Sequence, residues 1–267
     1  MENNLFKDLI KKVDKYENVE FIGYGNPNAK ILIIGKECAI DPKHDKNNIY
    51  ELSIKNNKKQ WLKIINETNN FDTGDIPSWF SACPMEEKFS PLFPFKGEKF
   101  TINRKDKTEG TSTTWYNYQK LIDEINKAIQ KDNSQTPSDR KKDSEIDFLK
   151  DCFITEFNDV CSLYSRRSSE VIQSIKNRTE NLLNDPFFKS FPIIIVACGH
   201  YIRQYKHIID LQKLFEVEWD GQTVFVDKKW YNIHKGNGKI LIHTNQLSIN
   251  ISNQLLKDIA KECKSII

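Results

Sequence analysis

Long hydrophobic runs are missing from this sequence, and so is a secretion signal. No apolar stretch approaches the roughly 20 residues that a transmembrane helix needs. The first residues, MENNLFKDLIKKVDKY, predict an amphipathic helix without the apolar core or the small-residue cleavage site of a signal peptide. We therefore expect a cytoplasmic protein that has no membrane partner.

Cysteine pairs with metal-ligand spacing are missing as well. The six cysteines form no CxxC pair, and several lie within apolar runs: Cys38, Cys83, Cys152, Cys161, Cys198 and Cys263. Zinc and iron–sulfur sites usually draw ligands from closely spaced cysteines. We expect structural thiols that pack as small core residues, no metal and no cofactor.

Neither sign of charge dominates the chain. There are 40 lysine and arginine residues against 37 aspartates and glutamates, which gives a formal charge of +3. This balance predicts that any nucleic-acid surface is a local patch. The apolar content of 38% is that of a chain with a packed core, which excludes disorder throughout.

Four short apolar runs predict buried strands, at 30–35 (KILIIG), 152–157 (CFITEF), 192–198 (PIIIVAC) and 239–243 (KILIH). They are continuous rather than alternating, as expected when both faces of a parallel sheet are covered. Segments with helical periodicity stand between and after them, at 115–130, 168–183, 201–215 and 252–266. The alternation predicts an α/β fold, a three-layer α/β/α sandwich with a four-stranded parallel sheet.

Three other segments do not fit the predicted alternation of strands and helices. The segment 217–231, with Asp220-Gly221 between two apolar runs, predicts an appended β-hairpin. The segment 71–100 predicts an aromatic-rich insertion that covers the sheet or binds a ligand, and the polar run 131–145 predicts a mobile connection. The whole chain, 1–267, is interpreted as one domain rather than two small ones. Three aromatics of the insertion either stack on an extruded base or simply pack: Phe71, Trp79 and Phe80.

In an open parallel sheet, ligands bind beyond the carboxyl ends of the strands, where loops diverge. After the first predicted strand, Glu37 is a candidate general base that orients or deprotonates a water molecule. The alternative is that Glu37 and Asp41 are solvated loop charges or helix caps. In the second predicted strand, Glu156 lies in an otherwise apolar run, which marks either a ligand contact or a salt bridge.

The run 243–248 (HTNQLS) follows the fourth predicted strand. His243 is either a donor to an oxygen that gains negative charge or a histidine packed at a strand end. Ser248 and Ser252 either contact phosphate or cap the next helix. After the third strand, Gly199 predicts a tight turn.

Two further groups suit phosphate contacts. The hydroxyl run 111–114 (TSTT), which includes Ser112, precedes a predicted helix and either contacts phosphate or caps that helix. Arg166 and Arg167 form either a local basic patch or ordinary surface charge.

These motifs resemble those of one family. The run 25–35 (GNPNAKILIIG) resembles the entry to the first strand of the uracil-DNA glycosylase superfamily, where "GNPxAKILxIG" leads into the catalytic loop. The run 152–159 (CFITEFND) is similar to that superfamily's "xxITNxxxC" second strand, and 193–201 resembles its "xIVxxGxxA" third strand. HTNQLS stands where the family has "HPSPLS". Order and spacing agree from Phe21 to Ile259.

The resemblance implies a four-stranded parallel sheet, a basic groove at the strand ends and a pocket for a flipped nucleotide. By position, Glu37 would orient water or stabilise the sugar cation, and His243 would hydrogen-bond the departing base. Glu156 would stand at the base-reading asparagine, with Cys38 and Ala39 also against the base. The expected nucleic-acid contacts are Lys36, Ser112, Arg166, Asn245 and Ser248.

The sequence also departs from the family. Cys38 replaces a proline, Thr244-Asn245-Gln246 replaces Pro-Ser-Pro, and Glu156 replaces an amide. Because an ionised glutamate only accepts hydrogen bonds, uracil specificity is not expected. The iron–sulfur ligands of some branches are absent, so no cluster is expected.

We expect a monomeric, divergent DNA glycosylase that hydrolyses the N-glycosidic bond of a flipped base in single- or double-stranded DNA. The alternatives are a non-catalytic nucleic-acid or nucleobase binding protein of the same fold, and a hydrolase for an unrelated small molecule.

Overall fold

A seven-stranded sheet lies at the centre of the fold. Its strands are β1 (Tyr24–Gly25), β2 (Ile31–Glu37), β3 (Cys152–Asn158), β4 (Ile193–Val196), β5 (Glu218–Val226), β6 (Lys229–Gly236) and β7 (Lys239–Thr244). They are arranged in the order β1-β3-β2-β4-β7-β6-β5. The computed structural model describes residues 5–38, 48–67, 90–92, 94, 111–129, 146–161 and 167–266.

The four predicted strands are the parallel centre of this sheet. β2 pairs in parallel with β3 and with β4, and β4 pairs in parallel with β7. In this register Ile33 of β2 stands opposite Ile154 on one side and Ile195 on the other. The predicted α/β class is confirmed. Because the four strands run the same way, the residues that follow them gather at one edge of the sheet.

The predicted hairpin is present, but it differs from the prediction in two ways. β5 and β6 close through Asp227-Lys228, since Val226 pairs with Lys229 and Asp227 has a positive φ of 54°. Asp220-Gly221 instead lies inside β5, where the pairing register shifts between Trp219 and Thr223. An Asp-Gly pair suits a bulge as well as a turn, which explains the misplaced turn. The hairpin is also part of the sheet, because β6 pairs with β7.

Helices cover the sheet where the sequence has apolar stripes. They are α1 (Leu5–Val13), α2 (Ile49–Lys55), α3 (Asn57–Glu67), α4 (Thr113–Ala128), α5 (Ser169–Asn177), α6 (Pro186–Lys189), α7 (Tyr201–Gln204), α8 (Leu211–Phe215) and α9 (Asn253–Cys263). A π-helical turn, Arg178–Leu183, continues α5. α4 and α9 begin at serine caps, because Ser112 Oγ accepts from the Trp115 N–H and Ser252 Oγ from the Leu255 N–H. The N-terminal amphipathic helix is confirmed.

Two hydrophobic cores lie on opposite faces of the sheet, because successive strand residues point to opposite sides. One core contains Leu32, Ile34, Phe153, Ile194 and Leu241, under helices that include α1, α3, α5 and α6. We call this the first face. The other core contains Ile31, Ile33, Ile154, Ile195 and Ile242, under α4 and α9. We call this the second face.

The structure also bears on the predictions for the helix over 201–215, the cysteines and membrane spans. The single helix predicted over 201–215 is wrong, because Asp210 caps a separate helix, α8, through the N–H groups of Gln212 and Lys213. Cys152, Cys198 and Cys263 are buried free thiols, as expected of small core residues. Within the described ranges, no helix combines the length and apolar character of a membrane span. The predicted segment 131–145, and all of 71–100 except 90–92 and 94, lie outside the described residues.

Candidate functional site

A cavity of about 170 Å³ opens at the carboxyl ends of β2 and β3. We call it the base cavity, after the ligand that the sequence resemblance predicts. Its aromatic walls are Phe21, Tyr24, Trp115 and Tyr118. Its polar lining includes Lys36, Glu37, Ser53, Ser112, Thr114, Glu156 and Gln246. Flat apolar walls with a few convergent polar groups are typical of a site for a planar ring.

Glu156 reaches this cavity because Gly35 stands beside it. The two residues are paired across β2 and β3, and a Cβ at position 35 would lie 2.2 Å from Glu156 Oε2. Oε2 is buried and accepts no hydrogen bond from the described residues. Burial, followed by the nearby Cys38 and Glu37, raises the pKa of Glu156 well above its usual range, although Arg178 opposes this. In its protonated form this carboxyl group has one O–H donor and one carbonyl acceptor.

Glu37 has a different environment in the same cavity. Its Oε2 accepts a hydrogen bond of 3.2 Å from Nδ2 of the fully buried Asn158. Its Oε1 lies 3.4 Å from Lys36 Nζ, and the Glu37 side chain is only 6% exposed. An amide and an ammonium group therefore hold this carboxylate in place, as a group that opposes positive charge or accepts a proton requires.

Arg178 supports the floor of the base cavity from beneath. Its completely buried guanidinium donates to the carbonyls of Phe21 and Glu156, to Thr155 Oγ1 and to the Asp159 carboxylate. These bonds join β3 to the chain segment that precedes β1. Since all three guanidinium nitrogens of this arginine donate to other groups and Arg178 does not line the cavity, we interpret it as a positioning residue rather than a ligand contact.

A second cavity, of about 300 Å³, lies at the ends of β4 and β7. We call it the lysine cavity. Its polar lining consists of Lys36, His200, Gln204, Lys229, Asn245, Gln246 and Ser248. Lys36 and Gln246 also line the base cavity, so the two cavities are neighbours. None of the described residues that line the lysine cavity is a carboxylate, which suits an anionic ligand group.

His243 lies apart from both cavities. Its Nε2–H donates to the Gly199 carbonyl at 2.8 Å, and its ring packs edge-on against Trp230 at 4.9 Å between ring centroids. The ring is 8% exposed, and burial lowers the pKa of His243 to about 4. It is not among the described residues that line either cavity.

The parity of the strands explains this separation. Ile33 of β2 and Ile154 of β3 belong to the core on the second face. Gly35 and Glu37 follow Ile33 by two and four residues, and Glu156 follows Ile154 by two, so all three lie on that same face. His243 is two residues after Leu241, whose side chain lies on the first face. The structure therefore brings Glu37 and Glu156 together and turns His243 to the other face.

The remaining predicted residues divide between the two cavities. Cys38 and Ser112 line the base cavity, although Ser112 also caps α4. Asn245 and Ser248 line the lysine cavity, and Asn245 Oδ1 accepts from the Trp230 N–H at 2.7 Å. Ser252 caps α9, and Gly199 makes its tight turn at a φ of 58°. Six predicted residues lie outside the described ones: Ala39, Asp41, Phe71, Trp79, Phe80 and Arg166.

Sequence reasoning missed the aromatic walls and Lys229. Phe21 precedes β1 and Tyr24 lies in it, while Trp115 and Tyr118 come from the first turns of α4. An aromatic residue three positions after the capping serine was the available signal for Trp115. No local pattern links these segments, because only the folded sheet brings them together.

Among the described residues, no group of three or more histidine, cysteine, aspartate or glutamate side chains is arranged to hold a metal ion. In the comparisons with known proteins, neither a protein-family model nor a curated protein matches this chain.

Proposed function

We propose that this chain is a divergent DNA glycosylase, which binds a flipped base in the base cavity and hydrolyses its N-glycosidic bond. The observation that carries the proposal is the pair of neighbouring cavities. One has aromatic walls and two carboxyl groups, and the other has lysines, amides and no carboxylate among its described lining. A nucleotide has the same division between a flat ring and an anionic phosphate.

The sheet supports the same proposal at the level of the fold. Its four parallel strands end at one edge, and both cavities lie at that edge. This is the arrangement that the resemblance to uracil-DNA glycosylases implies, and we propose a fold of that kind for a monomer that works in the cytoplasm.

Glu37 is the proposed catalytic carboxylate. Loss of the base leaves positive charge on the sugar, and a fixed carboxylate nearby stabilises that charge. Glu37 also accepts the proton of the water molecule that attacks the sugar carbon, so that the new C–O bond replaces the broken C–N bond. Lys36 and Asn158 keep its two oxygens in position for both tasks.

Glu156 is the proposed base-reading group, and its neutral form changes the expected specificity. A neutral carboxyl group donates one hydrogen bond and accepts another, as an asparagine amide does. It complements a base edge with an adjacent carbonyl and N–H, as in uracil, thymine or hypoxanthine. It also offers its proton to the base oxygen that gains negative charge, a role first expected of His243. Uracil therefore returns as a candidate base.

Single-turnover assays on oligonucleotides containing uracil, hypoxanthine or xanthine test this proposal. We expect abasic product from at least one of the lactam bases, and Glu37→Gln to reduce the rate by roughly 100-fold or more. Glu218→Gln, which changes an exposed glutamate of β5, is the matched control and should retain full activity. Absence of abasic product from every substrate, or an active Glu37→Gln variant, would contradict hydrolysis.

The second candidate function is base binding without cleavage. The position of His243 favours it, because the ring donates to Gly199 and leaves no imidazole among the described lining of the base cavity. In this case the oligonucleotides would bind with an affinity that falls as salt increases, and no product would form. No binding at low salt would remove this candidate.

A further inference from the structure

Two cysteine residues lie just beyond the carboxyl ends of β2 and β3, the strands at which the base cavity opens. Cys38 directly follows β2 and lines the cavity, and Cys161 follows the neighbouring parallel strand β3. Both side chains pack against the core of the second face, and the Cys161 thiol interacts with Cys38. Both residues are partly exposed, so a small reagent in solvent can reach them.

The two strand ends are held close by several other contacts. Glu37 pairs with Asn158 in the sheet register, and their side chains are hydrogen-bonded at 3.2 Å. Asn158 Oδ1 accepts from the Val160 N–H at 3.1 Å, which shapes the turn that leads to Cys161. These contacts hold the ends of the two adjacent strands together, and a bridge between the two sulfurs would have a length of about 2.05 Å.

We propose that Cys38 and Cys161 form a reversible disulfide that controls the base cavity. The oxidant is a low-molecular-weight disulfide of the glutathione type. The Cys38 thiolate attacks one sulfur of the oxidant and releases one thiol, and Cys161 then attacks Cys38 Sγ and releases the second thiol. Two protein thiols are oxidised to one disulfide, and the oxidant is reduced to two thiols.

The order of the two attacks follows from the interaction of Cys161 with Cys38. The contact with Cys38 and partial burial raise the pKa of Cys161, so this thiol keeps its proton and serves as the donor. The single S–H of Cys161 is shared between Cys38 and the Asp159 carbonyl, which lies 3.8 Å from Cys161 Sγ. Cys38 is accordingly the first nucleophile. Burial raises the pKa of the other described thiols, which are those of Cys152, Cys198 and Cys263, and they are poor competitors.

Thiol counting and peptide mapping on the full-length chain test the bridge without any nucleic acid. We expect oxidised glutathione to remove two of the six titratable thiols, to join the peptides that contain residues 38 and 161, and to raise Tm by roughly 5 °C or more. Dithiothreitol should reverse all three changes. Cys38→Ser and Cys161→Ser should each prevent the cross-link.

Cys83→Ala is the matched control, because Cys83 lies outside the described residues and is another conceivable partner. This variant should form the bridge as the natural sequence does. A cross-link to Cys83, or glutathione retained on Cys38 while Cys161 stays reduced, would overturn the proposal.

The proposal that the disulfide controls ligand binding in the base cavity rests on the proposed function. It is tested by a separate measurement, the affinity for an oligonucleotide in the oxidised and reduced states. The oxidised chain should bind a uracil-containing oligonucleotide at least 10-fold more weakly than the reduced chain, and Cys161→Ser should bind equally in both conditions. Equal binding by the oxidised and reduced chain would overturn the proposal that the disulfide regulates binding. Absence of binding in both states, together with a mapped bridge, would instead refute the proposed function alone.

Discussion

The two cavities lie at one edge of the same sheet but differ in chemistry. The base cavity gathers carboxyl groups and aromatic rings at the ends of β2 and β3, whereas the lysine cavity gathers cations and amides at the ends of β4 and β7. Burial raises the pKa of Glu156 in the base cavity and lowers the pKa of His243, which lines neither cavity, to about 4. The difference shows that burial sets the protonation of each site and that strand parity decides which side chains share it.

His243 provides the largest expected effect on stability. Its pKa falls from an ordinary 6.5 to about 4 in the folded chain, so its contribution is present above pH 6.5 and is lost as pH falls toward 4. The shift corresponds to roughly 3 kcal/mol of unfolding free energy. Urea unfolding at several pH values should show this loss in the natural chain and a smaller loss in His243→Gln. Identical pH profiles for the two chains would contradict the buried neutral ring.

Glu156 should respond to pH in the opposite sense. Because its folded-state pKa is raised, its stabilising contribution is complete below its ordinary value and is lost as pH rises through the raised value. Base binding should weaken about 10-fold per pH unit above that value, since the ionised acid no longer donates. Glu156→Gln keeps a donor and an acceptor, and its affinity should be independent of pH. An equally steep profile for Glu156→Gln would assign the dependence to another group.

Substitution of Gly35 tests whether the absence of a side chain at this position makes room for the Glu156 carboxyl group. Gly35→Ala places a methyl group 2.2 Å from the Glu156 carboxyl, so the side chain must move, at a cost of roughly 1–3 kcal/mol. The same change in a Glu156→Ala background should cost much less, because nothing occupies the contact. Chemical denaturation of the four chains gives the coupling energy. Additive effects would show that the contact is unimportant.

The smallest expected effect is on oligonucleotide affinity and comes from Lys229, which lines the lysine cavity. Lys229→Ala should weaken oligonucleotide binding a few-fold and lower the slope of log affinity against log salt by about 1. Lys228→Ala is the matched control, because Lys228 is exposed at the same turn and does not line the cavity. Equal slopes for both variants would remove the lysine cavity from the binding surface.

The sequence predicted the centre of the fold because buried parallel strands have a strong local pattern. The runs around Ile33, Ile154, Ile195 and Ile242 are apolar on both faces, and all four are strands. The turn at Asp227 was missed because its Lys228 and Lys229 resemble an ordinary charged segment, while Asp220-Gly221 has a stronger turn signal.

The site was predictable in part for a related reason. Glu37 and Glu156 end adjacent parallel strands, so a common cavity followed once the strands were recognised. The orientation of His243 depends on the register of β7 and on the Gly199 carbonyl, which belongs to the turn after β4. Neither is encoded near position 243. The aromatic walls come from two distant segments, the β1 region and α4, which meet only because both pack on the sheet.

The most direct test of the account is a structure of the Glu37→Gln chain bound to a uracil-containing single-stranded oligonucleotide. We expect a base inside the base cavity with its carbonyl and N–H edge on Glu156, and the adjoining phosphate between Lys36 and Lys229. An empty base cavity, or an oligonucleotide bound elsewhere on the surface, would contradict it.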